Sequence, residues 1–358
     1  MTPLHICFIS LNSYPLFVAN HSGYFGGAEL QISLIAKTLA KDKRIQVSLI
    51  VGDYGQKPLE TIENVTLYRA FRQNRKFNLE ALWFFKLLKD INADVYVERT
   101  LNLKVGLVAL WCRIFGKKFV YMVAHDWDVQ LNHGHYLKGL AKYSFDWGLK
   151  MANLIICQTP AQKDRLRIIF GLNSRVIRSV AAAAKSRVTK RHWLLWVGRA
   201  DKWKQPELFI RLAAKLPQEK FVMICRPGND RPYFKQICRI AQKQTNLRFF
   251  PGVSLNKINH YYQSAKALVN TSAVEGWPNT FLQAGIANTP VISLMVNPDG
   301  FINRYSCGLC GNDLVDSYRR LSKKMGTNHY RYVQKFHSPK NAERLGRILL
   351  NHFGRTAA

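Results

Sequence analysis

Acidic residues are scarce in this chain. Its 358 residues carry 22 Asp and Glu against 53 Lys and Arg, a formal net charge of +31. A field of that size favours anionic partners, nucleic acid or acidic lipid; the alternative is the basic surface of a host whose proteins run basic. Long apolar runs are missing as well. No window approaches ~18 uninterrupted apolar residues, which argues against a spanning helix. The opening residues lack a basic start followed by a long apolar run, so no secretory signal is expected. Cysteines are few and odd in number, seven in all, and lie scattered in apolar stretches. They are expected as reduced, buried thiols of a cytosolic protein. Cys307-Gly308-Leu309-Cys310 has a CxxC spacing, but without a second Cys pair or a nearby His neither zinc nor redox chemistry is expected of it. No repeat of fixed period and no low-complexity tract is present.

What is present suits two domains of ordinary size, with a 47% hydrophobic fraction ample for a core in each. Strand-like runs alternate with helical patterns: His5–Leu11, Val47–Val51, Val65–Tyr68, Asp94–Glu98, Lys118–Val123 and Leu154–Gln158. Helices are expected between them, including one over Leu79–Leu88 and one over Val105–Phe115. Such alternation predicts a doubly wound parallel sheet. Residues Val180–Arg191 break the pattern with four alanines and a basic run, and read as a linker. The alternation then restarts at Leu194–Val197, Phe221–Cys225, Leu247–Phe250, Ala267–Asn270 and Val291–Leu294. The expected division is 1–184 and 185–358, with a final helical pattern over about 340–355.

Two clusters carry the chemistry. Trp193-Leu194-Leu195-Trp196-Val197 is an apolar strand, followed by Gly198, which allows a tight turn, and by Arg199 and Lys204 ahead of a helix that Pro206 is placed to open. Ala267–Asn270 is a second strand, followed by Glu275 in a tight loop and a helical pattern opened by Pro278 and Asn279. A helix start attracts phosphate, and an acidic acceptor beside it suits sugar hydroxyls. Taken alone, Arg199 and Lys204 read more readily as solvated surface cations of a basic protein.

Together these residues resemble the G-R-x4-K and E-x7-E motifs of the retaining glycosyltransferases of family 4, here Gly198-Arg199/Lys204 and Glu275/Gln283. Gly26-Gly27-Ala28-Glu29 resembles that family's early glycine-rich loop, and Ala152–Thr159 its last strand of the first domain. The resemblance spans nearly the whole chain. It implies the GT-B fold, two Rossmann-like α/β domains facing a cleft, with the final helix packing back on the first. It also implies transfer of a sugar from a nucleoside diphosphate sugar to a hydroxyl of a glycan or lipid-linked acceptor, in cell-surface polysaccharide, lipopolysaccharide or glycolipid synthesis. The implied catalytic residues are Arg199 and Lys204 on the diphosphate, Glu275 on the donor sugar, and His125 near the reacting sugar. The implied donor-binding residues are Gly26, Gly27, Gly198, Asn279, Thr280 and Gln283. Gln283 departs from the family's Glu: it keeps a carbonyl acceptor for ribose and loses the charge. UDP is the commoner carrier in the family and GDP is open. No cofactor and no bound metal are implied, although Asp126-x-Asp128 has a DxD spacing and His133-Gly134-His135 a paired-ligand look.

Glu98-Arg99 and the long loop near Tyr14–Tyr24 are candidates for the acceptor side, and Asn297-Pro298-Asp299-Gly300 is either another binding loop or an ordinary turn. Trp83, Phe84, Trp111 and Phe115 lie in basic amphipathic blocks suited to an anionic leaflet or, equally, to core. The expected location is the cytoplasm, with peripheral contact to the cytoplasmic face of the inner membrane. Two rival readings stand beside this one. The first is a nucleic-acid-binding protein, for which no basic stripe or recognisable motif is visible. The second is a relative that binds sugar nucleotide without turnover.

Overall fold

Short apolar runs separated by longer amphipathic stretches bury a parallel sheet beneath helices on both faces. The computed structural model describes residues 2–18, 25–71, 77–182 and 190–354. They form two compact units, residues 1–180 with 339–358, and residues 181–338. Residues 19–24 of the long early loop and 183–189 of the expected linker lie outside the described residues. Both ends of that linker are tied down. Val180 donates its N–H to Gln31 Oε1 at 2.7 Å, and the Arg191 guanidinium reaches the carbonyls of Gln263 and Asn288, each at 2.8 Å.

The first unit holds β1 (Leu4–Ile9), β2 (Ile45–Val51), β3 (Leu59–Ile62), β4 (Val65–Arg69), β5 (Val95–Glu98), β6 (Lys118–Met122), β7 (Leu154–Cys157) and β8 (Arg175–Val176). They line up as β3-β4-β2-β1-β5-β6-β7-β8, parallel except for the β3–β4 hairpin. Its helices are α1 (Gly27–Leu39), α2 (Phe77–Ile91), α3 (Lys104–Ile114), α4 (Gly139–Met151) and α5 (Pro160–Phe170). Strand alternation splits the core. Val95 and Val97 face α1, whereas Tyr96 faces the layer of α2 to α5. Thr159 caps α5, accepting the Gln162 N–H at 3.1 Å, with Pro160 in its first turn.

The second unit holds β9 (Trp193–Arg199), β10 (Lys220–Arg226), β11 (Leu247–Phe250), β12 (Ala265–Asn270), β13 (Val291–Ser293) and β14 (Gly308–Cys310). Their order is β11-β10-β9-β12-β13-β14, parallel throughout. Its helices are α6 (Pro206–Lys215), α7 (Arg231–Gln242), α8 (Leu255–Gln263), α9 (Asn279–Ile286), α10 (Phe301–Arg304), α11 (Leu314–Arg319) and α12 (Lys323–Phe336). The last helix, α13 (Lys340–Phe353), returns to the first unit. There Ala342, Leu345 and Leu349 join the core beside α1. Gly346 allows the close approach: a Cβ on it would lie 2.7 Å from Leu39 Cδ2.

Several expectations need correction. Gly198 makes no turn but lies inside β9, paired with Cys225, and its missing Cβ leaves room for the Trp196 ring, which that atom would meet at 2.7 Å. Phe84 and Trp111 are core rather than surface, because their helix faces pack on the sheet. Cys307 and Cys310 flank and end β14; burial pushes the Cys307 thiol up to about 12, as expected of an inert core thiol.

Candidate active site

In an open parallel sheet, ligands bind outside the carboxyl ends of the strands where the strand order reverses. In the second unit that point lies between β9 and β12, since β10 and β11 extend to one side and β13 and β14 to the other. The loop after β9 carries Lys204 and the loop after β12 carries Glu275. Their side chains meet there in an ion pair between Lys204 Nζ and Glu275 Oε1. Ser272 Oγ donates to the same carboxylate oxygen at 2.9 Å.

The two loops are stitched together. Trp196 Nε1 donates to Thr271 Oγ1 at 3.0 Å, and that hydroxyl donates to the Lys204 carbonyl at 2.6 Å. The Ala273 N–H donates to the Trp203 carbonyl at 2.8 Å. Beyond Glu275 the chain is pinned by Trp277, whose buried ring packs on Phe301 and His337 at centroid distances of 5.0 and 4.4 Å. Asn279 and Thr280 then form the first turn of α9, and Gln283 follows one turn later, all half-buried.

Arg199 ends β9, but its guanidinium turns to Asp201, 2.7 Å from Oδ2. Asp201 is a buried carboxylate that the sequence reading passed over. Arg226 also went unnoticed. It ends β10 directly beside Arg199 in register, so two cations share the rim of the sheet. The signal for Arg226 was available, since it too follows an apolar strand. Asn297 closes an ordinary turn: its Oδ1 accepts the Ile302 N–H at 3.0 Å, and Asp299 and Gly300 take left-handed backbone.

His125, Gly26 and Gly27 belong to the first unit. His125 caps a short 3-10 helix, Asp126–Val129, its Nδ1 accepting the Trp127 N–H at 3.2 Å. That bond leaves the ring proton on Nε2, which is buried and has no partner among the described residues. Gly26 caps α1. Its N–H donates to Glu29 Oε2 at 2.9 Å, and the carboxylate of Glu29 thus occupies the helix start expected to receive a ligand. The Asp126-x-Asp128 pair is divided. Asp126 faces Gln162 and Arg165, whereas buried Asp128 accepts from Tyr121 Oη at 3.0 Å and the Ala124 N–H at 2.7 Å. His133 is likewise structural, bridging Asp146 and the Trp127 carbonyl; the side chain of His135 lies outside the described residues.

The first unit has its own point of reversal, between β1 and β5. A cavity of about 250 Å³ opens there, lined by Ser10, Asn12, Glu29, Phe71, Thr100 and Lys104 among others. Glu98 ends β5 beside it, fully buried, with Oε1 lacking a partner among the described residues. Burial pushes its carboxyl up to about 7, against the opposing pull of Lys104 and Thr100. Burial also lowers Arg99 to about 10.

Residues 181–304 match the family model of the glycosyl transferases group 1. That segment contains Arg199, Lys204, Glu275 and α9. No curated protein sequence matches the chain. Among solved structures, sucrose-phosphate synthase from Thermosynechococcus elongatus has a TM-score of 0.82 at 16% identity, covering 99% of this chain and 100% of that one. The catalytic domain of starch synthase IV from Arabidopsis thaliana has a TM-score of 0.71 at 10% identity, covering 99% and 100%. WaaG, a glycosyltransferase involved in lipopolysaccharide biosynthesis, has a TM-score of 0.68 at 16% identity, covering 96% and 99%. At such identities the likeness establishes the fold: two parallel-sheet α/β domains of the GT-B glycosyltransferase type.

Proposed function

We propose that the protein is a retaining glycosyltransferase that moves a hexose-type sugar from a nucleoside diphosphate sugar to a hydroxyl of a growing glycan or lipid-linked acceptor. The observation that carries this reading is the meeting of Lys204 and Glu275 where the strand order of the second unit reverses. As the glycosyl bond breaks, negative charge grows on the departing diphosphate. Lys204 and Arg199 stabilise it from preset positions. Glu275 accepts hydrogen bonds from hydroxyls of the donor sugar. His125 offers an Nε2–H to a sugar oxygen, and the cavity near Glu29 and Asn12 receives the acceptor. Attack comes from the face the diphosphate leaves, and the donor phosphate takes the proton, so no dedicated base and no metal is needed.

A nucleotide donor is supported by the printed ligands of two similar structures, UDP-2-fluoro glucose in an E. coli protein and ADP in starch synthase IV. The carrier proposed here is UDP, with GDP next. Biosynthesis of cell-surface polysaccharide or lipopolysaccharide is the proposed setting.

The test is a thermal-shift screen against UDP, GDP, ADP and their common sugars, because a ligand specific to the folded state raises its stability. A shift with one nucleotide and its sugar, followed by transfer in the presence of EDTA, supports the proposal. The absence of any shift, or activity restored only by Mg²⁺ or Mn²⁺, overturns the donor or the metal-free reading respectively. Gln283 favours a second reading, a sugar-nucleotide binder without turnover, which the same screen reports as a shift with no transfer.

A further inference from the structure

Helix α4 is attached to the first unit by one face. Phe145, Gly148 and Leu149 are buried, and Ser144 Oγ donates to the Leu103 carbonyl at 2.7 Å. Helices α3 and α4 approach so closely that a Cβ on Gly148 would lie 2.8 Å from the Gly106 amide nitrogen. The helix is thereby fixed without help from its other side. On that other side Leu140, Tyr143 and Trp147 follow at helical spacing and stand in one row. They are 83%, 69% and 53% exposed.

No core requirement accounts for this row. Contiguous apolar surface of this kind marks an interaction site. The neighbouring helices of the same layer add exposed Trp83 on α2 and Ile114 and Phe115 at the end of α3. The rim is basic. Lys138 and Lys150 are exposed at the two ends of α4, with Arg113 and Lys118 exposed beside Ile114 and Phe115. The acidic side chain of α4, Asp146, is already taken by His133 and Lys142.

We propose that this face of α4 docks on an anionic lipid bilayer. Trp and Tyr combine an apolar ring with a polar tip and settle at headgroup depth. Lysine and arginine lay their stems along apolar surface while their charges reach phosphate, and the net charge of +31 adds long-range attraction. Among the described residues no helix is long and apolar enough to cross a membrane, and a face of this kind needs none. The inference goes beyond glycosyl transfer: it concerns where the protein resides and holds whatever group is transferred.

The experiment is co-sedimentation of the full chain with vesicles of phosphatidylglycerol and phosphatidylcholine, or of phosphatidylcholine alone. The wild type is expected to sediment with the anionic vesicles at low salt and to be released as salt rises. The triple change Leu140→Ser, Tyr143→Ser, Trp147→Ser should lower partitioning about tenfold or more, with its melting temperature nearly unchanged because the side chains are exposed. If the triple variant melts early, Tyr143→Glu alone places a carboxylate at the contact and should abolish sedimentation. Wild type that stays in the supernatant at low salt overturns the proposal, as do well-folded variants that bind like the wild type. So does dimerisation without lipid that the triple variant disperses, which would assign the face to a second copy of the chain.

Discussion

Lys204 and Glu275 are separated by 71 positions in the chain and form an ion pair in the second unit. Arg199 is likewise held by Asp201. In this structure, then, two expected phosphate-binding cations rest on carboxylates. A diphosphate entering this site would replace one anion by another rather than meet bare charge, which lowers the desolvation cost of keeping Lys204 largely out of water.

Arg199→Ala and Lys204→Ala are each expected to lower turnover by ~10²-fold or more while the fold stays intact, since each removes a cation from developing phosphate charge. Steady-state kinetics with the donor found by thermal shift is the measurement. Near-normal kcat in both variants would sink the assignment.

Glu275→Gln should weaken binding of the sugar nucleotide more than binding of the free nucleotide, because the proposed role of the carboxylate is to accept from sugar hydroxyls. Calorimetric titration with both ligands separates the two. Equal losses would mean that the residue acts on the diphosphate through Lys204 instead.

Gly198→Ala should destabilise the second unit by about 1–3 kcal/mol, as overpacking in a filled core does. The new methyl would stand 2.7 Å from the Trp196 ring, whose Nε1 starts the chain of hydrogen bonds to Lys204. A lowered melting temperature together with reduced turnover is the expected pair of results; an unchanged melting temperature contradicts the packing.

Glu98 gives a pH signature. Its carboxyl is raised to about 7 in the folded chain, so between the ordinary range near 4.5 and about 7 the native state holds a proton that the unfolded state has released. Its contribution to stability is therefore fully present at low pH and is lost as pH rises through about 7. Glu98→Gln should remove that slope, gaining on the order of 3 kcal/mol relative to wild type at pH 8 compared with pH 4. Urea denaturation of both proteins across this range is the check; parallel profiles would show that Glu98 is not proton-linked.

The strands bearing the site were legible because each is an unbroken apolar run ending in Gly, Asn or a charge. Val65, Leu154, Leu247 and Val291 begin strands where the pattern places them. The pieces that escaped lack such a run. β8 has two residues and β14 three, and β3 is an exposed antiparallel edge. Helices α7 and α12 are so polar that their buried faces, such as Ile237 with Ala241 and Tyr332 with Val333, show only once packed. Within the site, Lys204 and Glu275 were readable from their strand-to-helix loops. The pairing of Arg199 with Asp201 was not, because the spacing of a motif carries no information about which way a side chain turns. The same limit left Phe84 and Trp111 open between leaflet and core: an aromatic row on a basic helix reads alike whether it meets water or sheet.

The return of α13 to the first unit has a consequence for how the protein is made. Ile32, Ile35 and Leu39 of α1 share a core with Leu345 and Leu349, so the sheet of the first unit keeps part of one face uncovered until α13, which follows the whole second unit, has left the ribosome. The second unit, residues 181–338, is continuous and is complete before α13 begins at Lys340. Of the two units, the one begun earlier is thus completed later, and a stop codon ahead of α13 would damage the first unit while leaving the second whole.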